Sequence, residues 1–189
     1  MLYIIVALKA EAKLFIENYD LIKSNDLIFP IYENDQTKLI ISGIGSINSA
    51  IATTYLLTKY KISSSDRVLN IGMCGSKDKS HIGKLFTIDK IIDKTTNQVY
   101  HLKKSKNSLA ISTYPKPLTD NSTLKTPLVD MESSGFYIAC SKFIKKDNIM
   151  IKKIASDNLD KSIKTQDFID ELFDKHIKKI YEECISNGS

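Results

Sequence analysis

Apolar positions in this chain fall into short continuous runs separated by longer stretches in which they recur every three or four residues. The continuous runs at 2–8, 67–72 and 149–155 read as strands buried on both faces. The spaced stretches read as amphipathic helices. One covers 10–19 with Ala12, Phe15, Ile16 and Tyr19 at helical spacing, and another 47–60 with Ala50, Ile51, Thr54 and Leu57 on one face. A third covers 131–144 with Ile138, Cys140 and Phe143 inward. The last, 165–185, carries Phe168, Leu172, His176, Ile180 and Cys184 close to one stripe. Strand pairs are predicted at 27–33 with 37–42, joined by Asn34-Asp35-Gln36, and at 84–93 with 98–102 around Thr95-Thr96-Asn97. Residues 108–112 form a further strand. Two glycine turns, Ser42-Gly43-Ile44-Gly45-Ser46 and Gly72-Met73-Cys74-Gly75-Ser76, close strands. Tyr114-Pro115-Lys116-Pro117 then forces an extended loop to about Pro127, either a substrate-facing lid or a disordered segment. Strands alternating with helices predict an α/β protein, read as one domain over residues 1–189 with no repeat or linker.

Three acidic residues follow apolar runs although sequence keeps them far apart: Glu11, Glu132 and Asp157. Carboxylates are seldom put beside buried strands for stability. In open α/β sheets the carboxyl ends of strands line the ligand crevice, so the pattern points to one shared cleft.

Composition narrows the classes. At 189 residues a single core buries roughly 70% of the unfolded surface, so no metal or disulfide staple is needed. Cys74, Cys140 and Cys184, odd in number and widely spaced, read as reduced buried thiols, and a cytoplasmic location is expected. No apolar run approaches the ~20 residues of a membrane span. The net charge of +5 comes from dispersed lysines with a single arginine, Arg67. Nucleic-acid readout favours clustered arginine, so a solvated lysine surface is the better reading. Of the three histidines, no pair has metal-ligand spacing, and neither metal nor cofactor is expected.

The ordered blocks Ala7-Leu8-Lys9-Ala10-Glu11, Ser42-Gly43-Ile44-Gly45-Ser46-Ile47-Asn48-Ser49-Ala50, Asn70-Ile71-Gly72-Met73-Cys74-Gly75-Ser76, Asp130-Met131-Glu132-Ser133 and Ser156-Asp157 resemble the nucleoside phosphorylase superfamily. The closest look is to its 5'-methylthioadenosine/S-adenosylhomocysteine nucleosidase branch. The resemblance spans nearly the whole chain. It implies a three-layer α/β/α fold with a mixed central sheet, a small-molecule nucleoside as partner, and a homodimer of the kind frequent in the family.

It also implies roles. Cleaving a purine N-ribosidic bond leaves positive charge on the sugar and negative charge on the base, so an acid is needed near the base and a nucleophile across the sugar. Asp157 would protonate the base, aided by partial desolvation and oriented by Ser156. Glu132 would accept ribose hydroxyls while Met131 packs beneath the sugar, Glu11 would activate water, and Met73 and Gly75 would line the pocket. Each has a plainer reading: a helix cap for Ser156-Asp157, a macrodipole contact for Glu132, a solvated side chain for Glu11.

Hydrolysis is favoured over phosphorolysis because a phosphate dianion needs several forked donors, and Arg67 precedes its strand at the edge away from the cleft. The sequence departs from the nucleosidase pattern at Met73, where a serine is usual, at Lys153, where an arginine is usual, and in a shortened middle segment. Two alternatives therefore stand beside hydrolysis: a phosphorylase using Lys153 with Lys9, and a nucleoside-binding homologue with little or no turnover.

Overall fold

The computed structural model describes residues 1–120, 122, 124–159 and 164–186. Its strands are β1 (Leu2–Val6), β2 (Ile22–Lys23), β3 (Ile31–Glu33), β4 (Thr37–Ile41), β5 (Arg67–Ser76), β6 (Leu85–Asp93), β7 (Val99–His101), β8 (Ser108–Thr113), β9 (Leu128–Asp130) and β10 (Ile149–Asp157). Its helices are α1 (Lys9–Asn18), α2 (Ser46–Lys59), α3 (Ser133–Cys140) and α4 (Gln166–Ser186).

Every residue of β1 is buried, and alternate side chains enter different cores. Tyr3 and Ile5 pack with Leu56 of α2 and Phe136 of α3, whereas Leu2, Ile4 and Val6 pack with Phe15 of α1 and Phe173 of α4. A strand's two-residue period puts neighbours on opposite faces, so an all-apolar strand demands helices on both sides. The layering is therefore helices, mixed sheet, helices. The sheet runs β2-β3-β4-β1-β5, with β4, β1 and β5 parallel and the β2-β3-β4 edge antiparallel.

Beyond that point β5 has two further neighbours. Along one edge it pairs β1 through Asn70 and then β9 at Gly75 and Ser76; along the other it pairs β10 from Val68 to Gly75. The strands β10, β6, β8 and β9 close a ring back onto β5. Between Asn70 and Gly75 the edge of β5 has no strand partner on the β1 side, and that gap becomes the floor of the site.

Several expected elements are corrected. The second glycine turn is not a turn, because β5 continues to Ser76 under its pairing with β10, and its glycines supply space instead of curvature. The strand expected at 27–33 begins only at Ile31. Asp26 accepts the Ile28 and Phe29 N–H groups and closes an Asx turn that leaves Leu27 98% exposed. The helix expected over 131–144 is shorter at both ends; Phe136 and Cys140 form its inner face, and Ile138 and Phe143 lie outside.

On α2 the buried side is Ser49, Ala52, Thr53, Leu56 and Leu57, not the face of Ala50, Ile51 and Thr54. The reason is the approach of α3. A Cβ at Gly135 would stand 1.8 Å from the Ser46 carbonyl oxygen, so the two backbones nearly touch and only small side chains fit between them. The isoleucines are turned outward.

Cys74, Cys140 and Cys184 are buried free thiols. No helix among the described residues is long and apolar enough to cross a membrane.

Candidate active site

A cavity of about 250 Å³ opens where β1, β5, β9 and β10 end. All seven residues singled out in the sequence line it: Glu11, Met73, Gly75, Met131, Glu132, Ser156 and Asp157. Arg67 lies at the other end of β5, where its Nη1 donates to the Cys184 carbonyl (2.8 Å).

Glu11 fills the gap in the sheet. Its Oε1 accepts the Met73 N–H (2.8 Å), and its Oε2 accepts those of Ala7 (3.1 Å) and Leu8 (3.0 Å), so one carboxylate stitches the diverging ends of β1 and β5. Gly72 makes this possible, since a Cβ there would be 2.9 Å from Glu11 Oε1. At 3% exposure the side chain is not a solvated helix residue. Burial raises its pKa, against the lowering pull of the three N–H groups and of Lys153.

Glu132 stands at the start of α3 and reaches across to the start of α2. Its Oε1 accepts the N–H of Gly45 (3.0 Å), whose φ of +105° aims that group at the carboxylate. Lys153 Nζ lies 3.9 Å from its Oε2 and 2.9 Å from Asp130 Oδ2. Burial raises the Glu132 pKa to about 7; Lys153 pulls it down and Asp130 pushes it up. Asp130 is itself fully engaged, accepting the Ser133 N–H and hydroxyl on Oδ2 and the Thr113 hydroxyl on Oδ1. Burial disfavours the Lys153 ammonium, but Asp130 and Glu132 outweigh it and hold its pKa above the usual lysine value.

Asp157 ends β10. Its Oδ2 accepts the Ser156 hydroxyl (2.6 Å) and its Oδ1 the Leu159 N–H (2.9 Å), while Ser156 also reaches the Cys74 carbonyl (3.3 Å). Asn158 and Leu159, the described residues that follow, are not helical, so the pair caps no helix there; it closes a turn that brings Leu159 to the cavity. Gly75 leaves room for this side chain, since a Cβ there would meet Leu159 Cδ2 at 2.5 Å. Leu159, Leu124 and Val129 form a small apolar cluster joined by Tyr114 and Leu118. The extended loop thus faces the cavity through Lys116, Pro117 and Leu118.

From sequence Lys153 is expected only as a departure from the nucleosidase pattern and as a phosphate-holding lysine of the phosphorylase alternative, not as the partner of Asp130 and Glu132. The signal was present: with Lys152 and Lys153 adjacent in a strand buried on both faces, each must enter one face and find a carboxylate there. Lys152 finds Glu183 of α4 and Lys153 finds Asp130. Ile44 and Leu159 carried no such signal. Among the described residues no group of histidine, cysteine or carboxylate side chains is arranged to hold a metal ion.

No protein-family model and no curated protein matches the chain. Solved structures do. An apo 5'-methylthioadenosine nucleosidase from Arabidopsis thaliana superposes with a TM-score of 0.80 at 13% identity, covering 97% of this chain and 95% of that one. A futalosine hydrolase from Helicobacter pylori gives 0.75 at 16% identity, over 96% and 97%. The 5'-methylthioadenosine/S-adenosylhomocysteine nucleosidase of the same organism, bound to butyl-thio-DADMe-Immucillin-A, gives 0.74 at 18% identity over the same shares. The fold is the nucleoside phosphorylase-like one expected from the ordered sequence blocks.

Proposed function

We propose that this chain hydrolyses the N-ribosidic bond of a purine nucleoside or 5'-thionucleoside. The observation that carries the reading is the meeting of Glu11, Glu132 and Asp157 in one cavity of nucleoside-compatible size, on a fold whose solved examples include nucleosidases. Asp157, held by Ser156 beside Leu159, is the acid that delivers a proton to the departing purine. Glu132 accepts the ribose hydroxyls, with Met131 as the apolar surface below the sugar. That carboxylate is worth more as the sugar becomes cationic, which is where selective stabilisation lowers the barrier. Glu11 takes a proton from the attacking water on the sugar's far side. Met73 and Gly75 shape the wall, and no cofactor takes part.

Water is preferred to phosphate as nucleophile on charge grounds. Lys153 is committed to Asp130, Lys9 is exposed and outside the cavity lining, and Arg67 is at the far end of β5. Lys116 and Lys164 do line the cavity, but as point-charge ammonium groups neither offers the forked donors that favour tight binding of a dianion. One observation favours a second reading, a nucleoside-binding protein without turnover. Glu11 already accepts three backbone N–H groups, which satisfies it as a structural staple.

The test is a chromatographic screen for free base, with and without phosphate, over methylthioadenosine, S-adenosylhomocysteine, adenosine and inosine. Base release that does not need phosphate is expected. Binding without release selects the second reading, and release only with phosphate selects a phosphorylase.

A further inference from the structure

Lys153 is 1% exposed, and the acidic side chains of Asp130, Glu132 and Glu11 surround it from three elements: β9, the start of α3, and α1. All three are themselves buried, so four ionisable groups share a space nearly closed to water, with one positive charge against three negative. The neutral donors facing Glu132 are backbone N–H groups, Gly45 at the start of α2 and Met131. The other titratable groups facing this space are Cys74 on β5, which feels both Lys153 and Asp130, and, around the cavity, Asp157, Lys116 and Lys164. Three carboxylates cannot all ionise cheaply beside a single ammonium at low dielectric. Which of them does depends on where the cation is held.

Asp130 decides that. Its oxygens accept Thr113, both Ser133 donors and Lys153 at 2.9 Å, so it is the best-solvated anion of the three and anchors the ammonium. From this anchor Lys153 Nζ sits 3.9 Å from Glu132 Oε2, close enough to favour its charged form but not to occupy it as a hydrogen-bond partner. Oε2 accepts only the long contact from the Met131 N–H (3.4 Å), which leaves it lone-pair capacity for a ligand's hydroxyl.

We propose that Lys153, anchored by Asp130, is a positioning residue that favours the charged form of Glu132 and leaves it open to accept a ligand's paired hydroxyl groups. It touches no ligand and acts through Glu132. Its electrostatic half stands whatever the cavity binds; its second half rests on the nucleoside reading.

The titration of Glu132 is followed in ligand-free protein by carboxyl carbon NMR, assigned with Glu132→Gln. In Lys153→Met the Glu132 midpoint is expected to rise by about 1–3 pH units, the effect of losing an opposite charge at this distance, and Lys153→Arg is expected to restore it. An unmoved midpoint in Lys153→Met overturns the proposal, and so does failure of a folded Lys153→Arg to restore it. Should Lys153→Met not fold, the wild-type ammonium is read instead through its Nζ and Cε resonances. They are expected to shift with the same midpoint as Glu132, and their indifference to that titration also overturns the proposal. Adenosine and methylthioadenosine affinities are then measured against pH. Their acid limb is expected to move with the Glu132 midpoint. If the midpoints move as stated and neither nucleoside binds at any pH, the nucleoside reading falls and the electrostatic coupling remains.

Discussion

Asp157, Glu132 and Glu11 differ in what surrounds them, and so in what their substitution does. Asp157→Asn keeps the hydrogen bonds from Ser156 and Leu159 within reach but removes the proton source. Base release is expected to fall about 10²–10⁴-fold with nucleoside affinity little changed; wild-type rates in this variant would end the acid assignment. Glu11→Gln is not a silent probe of water activation. Three N–H groups point at the carboxylate, and the amide's own NH2 must face at least one of them, which costs about 1–3 kcal/mol. The variant is expected to melt earlier as well as lose turnover, and thermal melts beside single-turnover rates separate the two effects. Glu132 carries a pH signature. Its folded pKa, near 7, lies above the ordinary 4.5, so the folded protein binds more protons than the unfolded chain between these values. Its contribution is present below 4.5 and lost as pH rises through about 7. Glu11, raised by burial, acts with the same sign. Ligand hydroxyls prefer the ionised form, so nucleoside affinity is expected to strengthen over the interval in which apo stability declines. Melts and calorimetric titrations at pH 5, 6, 7 and 8 check both slopes, and Glu132→Gln is expected to flatten them.

At the scale of elements, the N-terminus of α2 couples packing to the site. Gly135 lets α3 approach until its backbone meets Ser46, one residue after the Gly45 N–H that binds Glu132. Gly135→Ala is expected to force the helices apart, costing about 1–3 kcal/mol in stability through overpacking, and to weaken nucleoside binding by misplacing that N–H. Unchanged melting temperature and affinity would show that the contact relaxes without consequence. The same contact explains why the helical face of α2 was misread from sequence. Periodicity counts isoleucines as inward, but a backbone-to-backbone approach selects for smallness, and Ser49, Ala52 and Thr53 look unremarkable in a hydropathy pattern. The glycines of β5 were misread similarly. Gly72 and Gly75 mark places where Glu11 and Leu159 come close, and a chain read alone offers curvature as the default meaning of a glycine pair.

For the whole molecule, Ile44 just before α2 and Ile47 and Ile51 on it are 51%, 76% and 54% exposed, a series that begins at the cavity wall. An apolar stripe of this kind beside a site fits association of two copies, the homodimer implied by the family resemblance. Sedimentation velocity is expected to show a dimer that Ile47→Glu dissociates; a monomeric wild-type protein at micromolar concentration removes this expectation.

Strand positions, helix existence and the ordered blocks were legible in the chain because they depend on local periodicity and on residues adjacent in sequence. β1, α4 and the Glu11, Glu132 and Asp157 positions needed nothing more. Convergence was only implied, since three acids at strand ends share a cleft only if their strands end at the same edge of the sheet, and long-range pairing settles that. The closing of β10, β6, β8 and β9 onto β5, the gap that Glu11 fills, and the Lys153–Asp130 anchor under Glu132 belong to the tertiary structure alone. The pairings and contacts that close them reach across 17 to 82 positions, and a charge's meaning in a protein is set by the partners it meets once water has been excluded.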